Sequence, residues 1–182
     1  MAVDAKHLRI LHFPDPALRT RAQPVAEIDD NVRAVVDRMF ELMREAEGVG
    51  LAAPQVGLPW RVFVTAAREG HPERIYVNPR LSNPAAEPEV AEEGCLSLPN
   101  IRVEVRRPKA ITVTAQDLEG NEFTVRDEEF LARVWQHEFD HLEGILIIDR
   151  MSPMDRLANR KALRDLKSGV ASAEVPGRET RA

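Results

Sequence analysis

Residues 127–143 read DEEFLARVWQHEFDHLE, and the period of this stretch sets the architecture around it. Its apolar residues recur at helical spacing, which predicts a helix from about Asp127 to Glu143, closed by Gly144. At about 100° per residue, Phe130, Val134, His137 and His141 share an arc of roughly 60°. Glu138 and Leu131 lie beside that arc, while Glu129, Arg133, Gln136, Asp140 and Glu143 fall on the far side. The face expected to be buried therefore carries two imidazoles and a carboxylate, a costly arrangement unless something compensates them. A metal ion does so: His at i and i+4 reach one cation, and the intervening Glu stands against its water.

A catalytic tetrahedral site takes three protein ligands and keeps one position open. Cys95, the chain's single cysteine, is the candidate third ligand, set in Glu92-Glu93-Gly94-Cys95-Leu96-Ser97-Leu98-Pro99. A lone cysteine is more often an inert buried side chain, and only its coupling to the helix motif raises it to a ligand. Upstream, Gly48-Val49-Gly50-Leu51-Ala52-Ala53-Pro54-Gln55-Val56-Gly57 superficially offers a dinucleotide-binding spacing. That reading fails, because the segment follows a helix rather than a strand and Pro54 interrupts any helix to come. Two readings remain for it: a helix stop with a packed loop, or small residues that bring backbone close to a ligand while Gln55 supplies an amide donor.

Around these segments the pattern is that of one α+β domain. A helix is predicted from Asp29 and Asp30 to about Glu47, stopped by Gly48 and Gly50, with Val32, Val35, Val36, Met39, Phe40 and Met43 on its apolar face. Arg61–Ala67, Arg74–Val77 and the alternating Ile101–Arg106 read as strands, with a loop from Pro84 through Ala91. Ala110–Gln116 and Glu122–Arg126 flank Asp117-Leu118-Glu119-Gly120, a hairpin signal. Ile145–Ile148 is predicted as a buried strand, and Ser152-Pro153-Met154-Asp155 opens a C-terminal helix to about Leu166. The expected fold is a single compact domain over residues 1–167, with short antiparallel or mixed strands around the metal-binding helix. Residues 168–182 read as a flexible tail.

The chain has 182 residues, 43% hydrophobic and 30% charged, with a net charge of −5. These values fit one soluble domain and argue against DNA as a partner. The longest wholly apolar run, Ile145–Ile148, is far short of a membrane span. The first ten residues, MAVDAKHLRI, have neither a signal peptide's apolar region nor a transit peptide's composition, so a bacterial-type cytoplasm is expected. Residues 150–167 reverse the charge, with six Lys and Arg against Asp155 and Asp165. This is either a solvated helix face or a docking element for a polyanion such as RNA.

Gly48–Gln55, Glu93–Ser97 and Gln136–His141 together resemble the three signatures of the peptide deformylases, G-x-G-x-A-A-x-Q, E-G-C-L-S and Q-H-E-x-D-H. Their order and spacing fit, and the likeness spans roughly residues 5–165, including Phe13-Pro14-Asp15-Pro16. The resemblance implies hydrolysis of the formyl group from N-formyl-methionine of nascent polypeptides. It implies Cys95, His137 and His141 as metal ligands and Glu138 as general base and acid. Gln55 and the backbone N–H of Leu96 are implied as oxyanion donors. It further implies Fe²⁺ in the cell, with Zn²⁺, Ni²⁺ or Co²⁺ able to occupy the site. Val49, Leu96, Phe130 and Val134 are candidates for an apolar slot holding the methionine side chain, with Gly50 and Arg102 as substrate contacts. The basic helix 153–167 is a candidate ribosome-docking element, as in some relatives.

Three rivals predict other features. A metallopeptidase cleaving internal bonds needs a third ligand downstream, yet no histidine follows His141. A structural zinc domain needs a closed fourth ligand and leaves Glu138 without a task. An RNA-binding module would rest on residues 150–167 alone. His7, His12 and His71 lack ligand spacing and read as surface residues, and Trp60 and Trp135 as packing residues.

Overall fold

A computed structural model describes residues 3–68 and 70–169. In chain order the elements are α1 (Asp30–Glu45), β1 (Gly50–Ala52), β2 (Val62–Thr65), β3 (Arg74–Ser82), β4 (Pro88–Cys95) and β5 (Leu98–Pro108). There follow β6 (Ile111–Gln116), β7 (Glu122–Asp127), α2 (Phe130–Leu142), α3 (Pro153–Ala158) and α4 (Arg160–Lys167). A five-stranded antiparallel sheet runs β1-β2-β3-β6-β7, and β4 and β5 form a separate antiparallel hairpin.

Asp29 starts α1 as expected, its carboxylate accepting from the Val32 N–H at 2.8 Å. Val32, Val35, Val36, Met39, Leu42 and Met43 form the helix's buried stripe. They pack with Leu51, Val62, Val64, Ile75 and Val77 on one face of the sheet. The opposite face, through Phe63, Tyr76, Ile111, Val113 and Ala115, meets Leu131, Ala132 and Trp135 of α2. A third cluster joins Ile101, Val103 and Val105 of β5 to Leu146, Ile147, Ile148 and Leu166. The helix α2 is thus enclosed, with the sheet on one side and the β4–β5 hairpin on another.

That enclosure corrects the far-side assignment. Gln136 and Asp140, expected outside, are 8% and 9% exposed because the hairpin covers them. The start of α2 also moves: Asp127 ends β7, and its carboxylate accepts from the N–H groups of Glu129 and Ala132 at 2.9 and 3.1 Å. The stop of α1 is not made by glycine. Glu47 takes the left-handed conformation at φ 52°, and the Gly48 N–H donates to Met43 O at 2.8 Å. Gly48 serves a close approach instead, since a Cβ there would stand 2.7 Å from Leu96 Cδ1.

Three further expectations change. The loop predicted through Ala91 becomes strand β4 from Pro88, which its pairing with β5 holds in place despite little apolar alternation. Ile145–Ile148 is largely buried but not a strand, because a 3₁₀ turn at Ile147–Asp149 replaces it. There Asp149 accepts from the Leu146 N–H at 2.8 Å, satisfying locally a donor that a sheet would otherwise have paired. The C-terminal helix, capped by Ser152 as expected, divides at Asn159, whose amide donates to Arg102 O on β5 at 3.0 Å. The expected tail lies, beyond Gly169, outside the described residues.

Candidate active site

Three segments meet at the hairpin-facing side of α2. One turn of that helix separates His137 from His141, so both imidazoles lie on one flank, with ring centroids 5.1 Å apart. At the end of β4 a register shift between Gly94 and Cys95 breaks the ladder and delivers the thiol to the same place. Cys95 Sγ lies 3.3 Å from His141 Nε2. The ligand atoms of Cys95, His137 and His141 all fall within 4.8 Å of one another.

Two partners fix which atoms face that centre. His137 Nδ1 lies 3.0 Å from Glu93 Oε2. A carboxylate only accepts, so Nδ1 carries the hydrogen and Nε2 is left for the centre. Gln55 Oε1 accepts from the Ala52 N–H at 2.8 Å, which assigns the amide and turns Nε2 outward. That Nε2 donates to Ser97 Oγ at 3.2 Å and lies 3.6 Å from Cys95 Sγ.

Glu138 is 3% exposed, and its Oε2 has no hydrogen-bond partner among the described residues. Burial pushes its carboxyl up to about 7, with His137 and Arg107 opposing more weakly. Its position depends on Gly50, where a Cβ would overlap the Glu138 carboxylate at Oε1. Only the residue without a side chain admits that carboxylate. Burial works against charge on both histidines. For His137 the neighbouring Cys95 and Glu93 prevail and hold its pKa well above the usual value. For His141 burial, His137 and Arg107 all hold it well below.

The donor set suits a divalent cation: one thiol and two imidazoles converge, and a buried carboxylate oxygen beside them awaits a hydrogen-bond donor. A cavity of about 620 Å³ opens beside this centre. Gly50, Val49, Leu96, Arg102, Phe130 and Val134 all line it, together with Gln55, Cys95, His137 and Glu138. His141 is 1% exposed and does not line the cavity. Val49 and Phe130 are 44% and 36% exposed, so they form the mouth, whereas Val134 at 6% lies deeper. The remaining histidines stand away from the centre: His7, His12 and His71 are exposed.

Several residues around the centre escaped the sequence reading. Glu93 Oε1 accepts from Arg107 Nε at 2.6 Å and Arg133 Nη1 at 2.8 Å, while Oε2 also accepts from Arg107 Nη2 at 2.9 Å. Arg107 continues to Asp140 Oδ2 at 2.8 Å, where Arg150 Nε also donates at 2.7 Å. The signal for Arg107 was present, because it continues the every-second-residue series Ile101, Val103, Val105 onto the buried face of β5. Arg68 is a further addition, its guanidinium 3.8 Å from the Phe130 ring centroid at the cavity wall.

Comparison with known proteins gives a consistent answer. The polypeptide deformylase profile matches residues 7–157. Peptide deformylase of Thermotoga maritima is 50% identical over 162 residues, 89% of this chain and 98% of that protein. The crystal structure of peptide deformylase from that organism superposes with a TM-score of 0.76 at 49% identity, covering 80% of this chain and 98% of the other. A Plasmodium falciparum peptide deformylase in complex with an inhibitor gives a TM-score of 0.81 at 37% identity, covering 88% and 99%. By sequence and by fold, the chain belongs to the polypeptide deformylase family.

Proposed function

We propose that this chain hydrolyses the formyl group from the N-formyl-methionine of nascent polypeptides, releasing formate and a free amino terminus. The observation that carries the reading is Glu138: buried, raised to about 7, with one oxygen unpartnered, beside a converging thiol and two imidazoles. Cys95, His137 and His141 would hold a divalent cation, which when bound polarises the formyl oxygen and acidifies a water. The resemblance favours Fe²⁺ in the cell, and the thiol–imidazole set also suits Zn²⁺, Ni²⁺ and Co²⁺.

Glu138 takes a proton from the attacking water as its oxygen bonds to the formyl carbon. A carboxyl titrating near the working pH is suited to both halves of that exchange. Negative charge gathers on the former carbonyl oxygen, where Gln55 Nε2–H and the Leu96 backbone N–H act as donors. The orientation of the Gln55 amide is set before substrate arrives, because Ala52 and Ser97 already hold it. The carbon–nitrogen bond then breaks, and Glu138 returns its proton to the leaving amine.

Val49, Leu96, Phe130 and Val134 form the slot for the methionine side chain. Gly50 lies on β1, an edge strand, so its backbone is available to an extended peptide. Arg102 supplies a donor to the substrate chain further out. Residues 1–167 act as the catalytic domain in the cytoplasm, where nascent chains are made, and the basic residues 153–167 dock on the ribosome. No helix among the described residues is long and apolar enough to cross a membrane.

The test is a comparison of formyl-Met and acetyl-Met peptides of one sequence under anaerobic conditions. Turnover of the formyl peptide alone supports the reading. Equal turnover of both, or cleavage at an internal bond, contradicts it.

A further inference from the structure

The three donors at the centre come from two elements, His137 and His141 from α2 and Cys95 from β4. Their separation is therefore only as well defined as the docking of the hairpin on the helix. Two arginines contribute to that docking, beside Gln136 of α2, whose Nε2 donates to Pro108 O on β5 at 3.0 Å. Arg107 reaches from the hairpin to Asp140 on α2, at 2.8 Å. Arg133 reaches the other way: from α2 it donates to Val105 O on β5 at 2.9 Å and to Glu89 O on β4 at 3.0 Å. The same guanidinium donates to Glu93 Oε1 at 2.8 Å, and Glu93 Oε2 accepts from His137 Nδ1 at 3.0 Å.

We propose that Arg133 is a positioning residue for the metal centre, fixing both the spacing of Cys95 from the two histidines and the ring orientation of His137. The inference rests on the metal-site reading above and extends it to a residue one helical turn before His137. The planar fork is what the role requires, because its donors serve two strands and one carboxylate at once. Glu93 does not depend on Arg133 for its charge partner. Arg107 holds both its oxygens, at 2.6 and 2.9 Å, so removing Arg133 leaves the buried ion pair intact. What is lost are the bonds from Arg133 to the Val105 and Glu89 carbonyls, the contacts of one side chain with both hairpin strands, and one of the two anchors on Glu93 Oε1. Partners that orient metal ligands in this way are worth about 10–100-fold in metal affinity.

The experiment uses Co²⁺ as the probe in the full chain, comparing wild type with Arg133→Met, Arg133→Lys and Val36→Ala. Val36 lies in the α1 cluster away from the hairpin, and its truncation reports general destabilisation. The readouts are the visible Co²⁺ spectrum, the rate of Co²⁺ loss to chelator, and the melting temperature. Arg133→Met is expected to lose Co²⁺ about tenfold faster than wild type with an altered ligand-field band. Arg133→Lys, which keeps the charge but not the fork, should fall between them and carries the test alone if Arg133→Met does not fold. Val36→Ala should melt lower yet release Co²⁺ at the wild-type rate. An unchanged spectrum and release rate in the Arg133 variants would overturn the proposal, as would release no faster than in Val36→Ala. Wild type that takes up no Co²⁺ would instead overturn the metal site itself, and this role with it.

Discussion

Glu138 and Gly50 form one functional unit, since the carboxylate occupies the space a Cβ at position 50 would take. Glu138→Ala is expected to keep its metal and lose about 10²–10⁴-fold in kcat, measured as formate release against metal content. It should not unfold the protein, because a buried carboxyl with an unpartnered oxygen contributes little to stability. Gly50→Ala should reach a similar loss without touching any reacting group, by displacing the Glu138 side chain. Near-wild-type turnover in Gly50→Ala would show that the carboxylate can act from elsewhere. Sequence legibility was greatest at this scale. His137, Glu138 and His141 follow from helical spacing, and Cys95 from its being the single thiol. The clearance at Gly50 was not legible, because a pairwise contact between β1 and α2 has no local signature.

Among the elements, the β4–β5 hairpin depends most on charge. Glu93 and Arg107 are 5% and 3% exposed, and burial of the carboxylate is outweighed by Arg107 and His137, which hold Glu93 well below its usual pKa. A depressed folded-state pKa means that this stability is fully present above the unfolded value near 4.5 and declines as pH falls below it. Chemical denaturation from pH 7 down to pH 3 should show that decline, and stability unchanged over the range would contradict it. Arg107→Met should cost about 3–5 kcal/mol at pH 7, because Glu93 and Asp140 lose a buried counter-charge. A cost below about 1 kcal/mol would remove the pair from its structural role. This network was only half legible. Glu93 and Asp140 sit inside the recognised motifs, and Arg107 follows the strand's period of two. Arg133, placed on a solvent face by the helical wheel, was misjudged because a wheel does not show how many sides of a helix are covered.

For the whole molecule, the sheet packs on one side of α2 and the hairpin bonds to another, so the segment that carries His137, Glu138 and His141 is held between them. Trp135 illustrates the fit: 1% exposed, it donates from Nε1 to the Tyr76 hydroxyl at 2.9 Å. The α+β class was legible from alternating and helical periods. The short β1, the Glu-rich β4 and the 3₁₀ turn at Ile147–Asp149 were not, since pairing partners distant in sequence decide them. Away from the cavity, Arg160, Lys161 and Arg164 are exposed on α4. Neutralising all three should leave turnover of a short peptide unchanged and weaken ribosome binding, with a shallower salt dependence in co-sedimentation. Binding equal to wild type would dismiss the docking role.

In the proposed mechanism, a metal ion held by Cys95, His137 and His141 acts with Glu138 on a formyl amide. Formate release from a formyl-Met peptide tests it most directly, using protein purified without oxygen and assayed for bound metal. Release should scale with metal content, stop on chelation, return on readdition and fall to near background in Glu138→Ala. Fully metallated, reduced protein that releases no formate would contradict the claim, as would release that persists after the metal is removed.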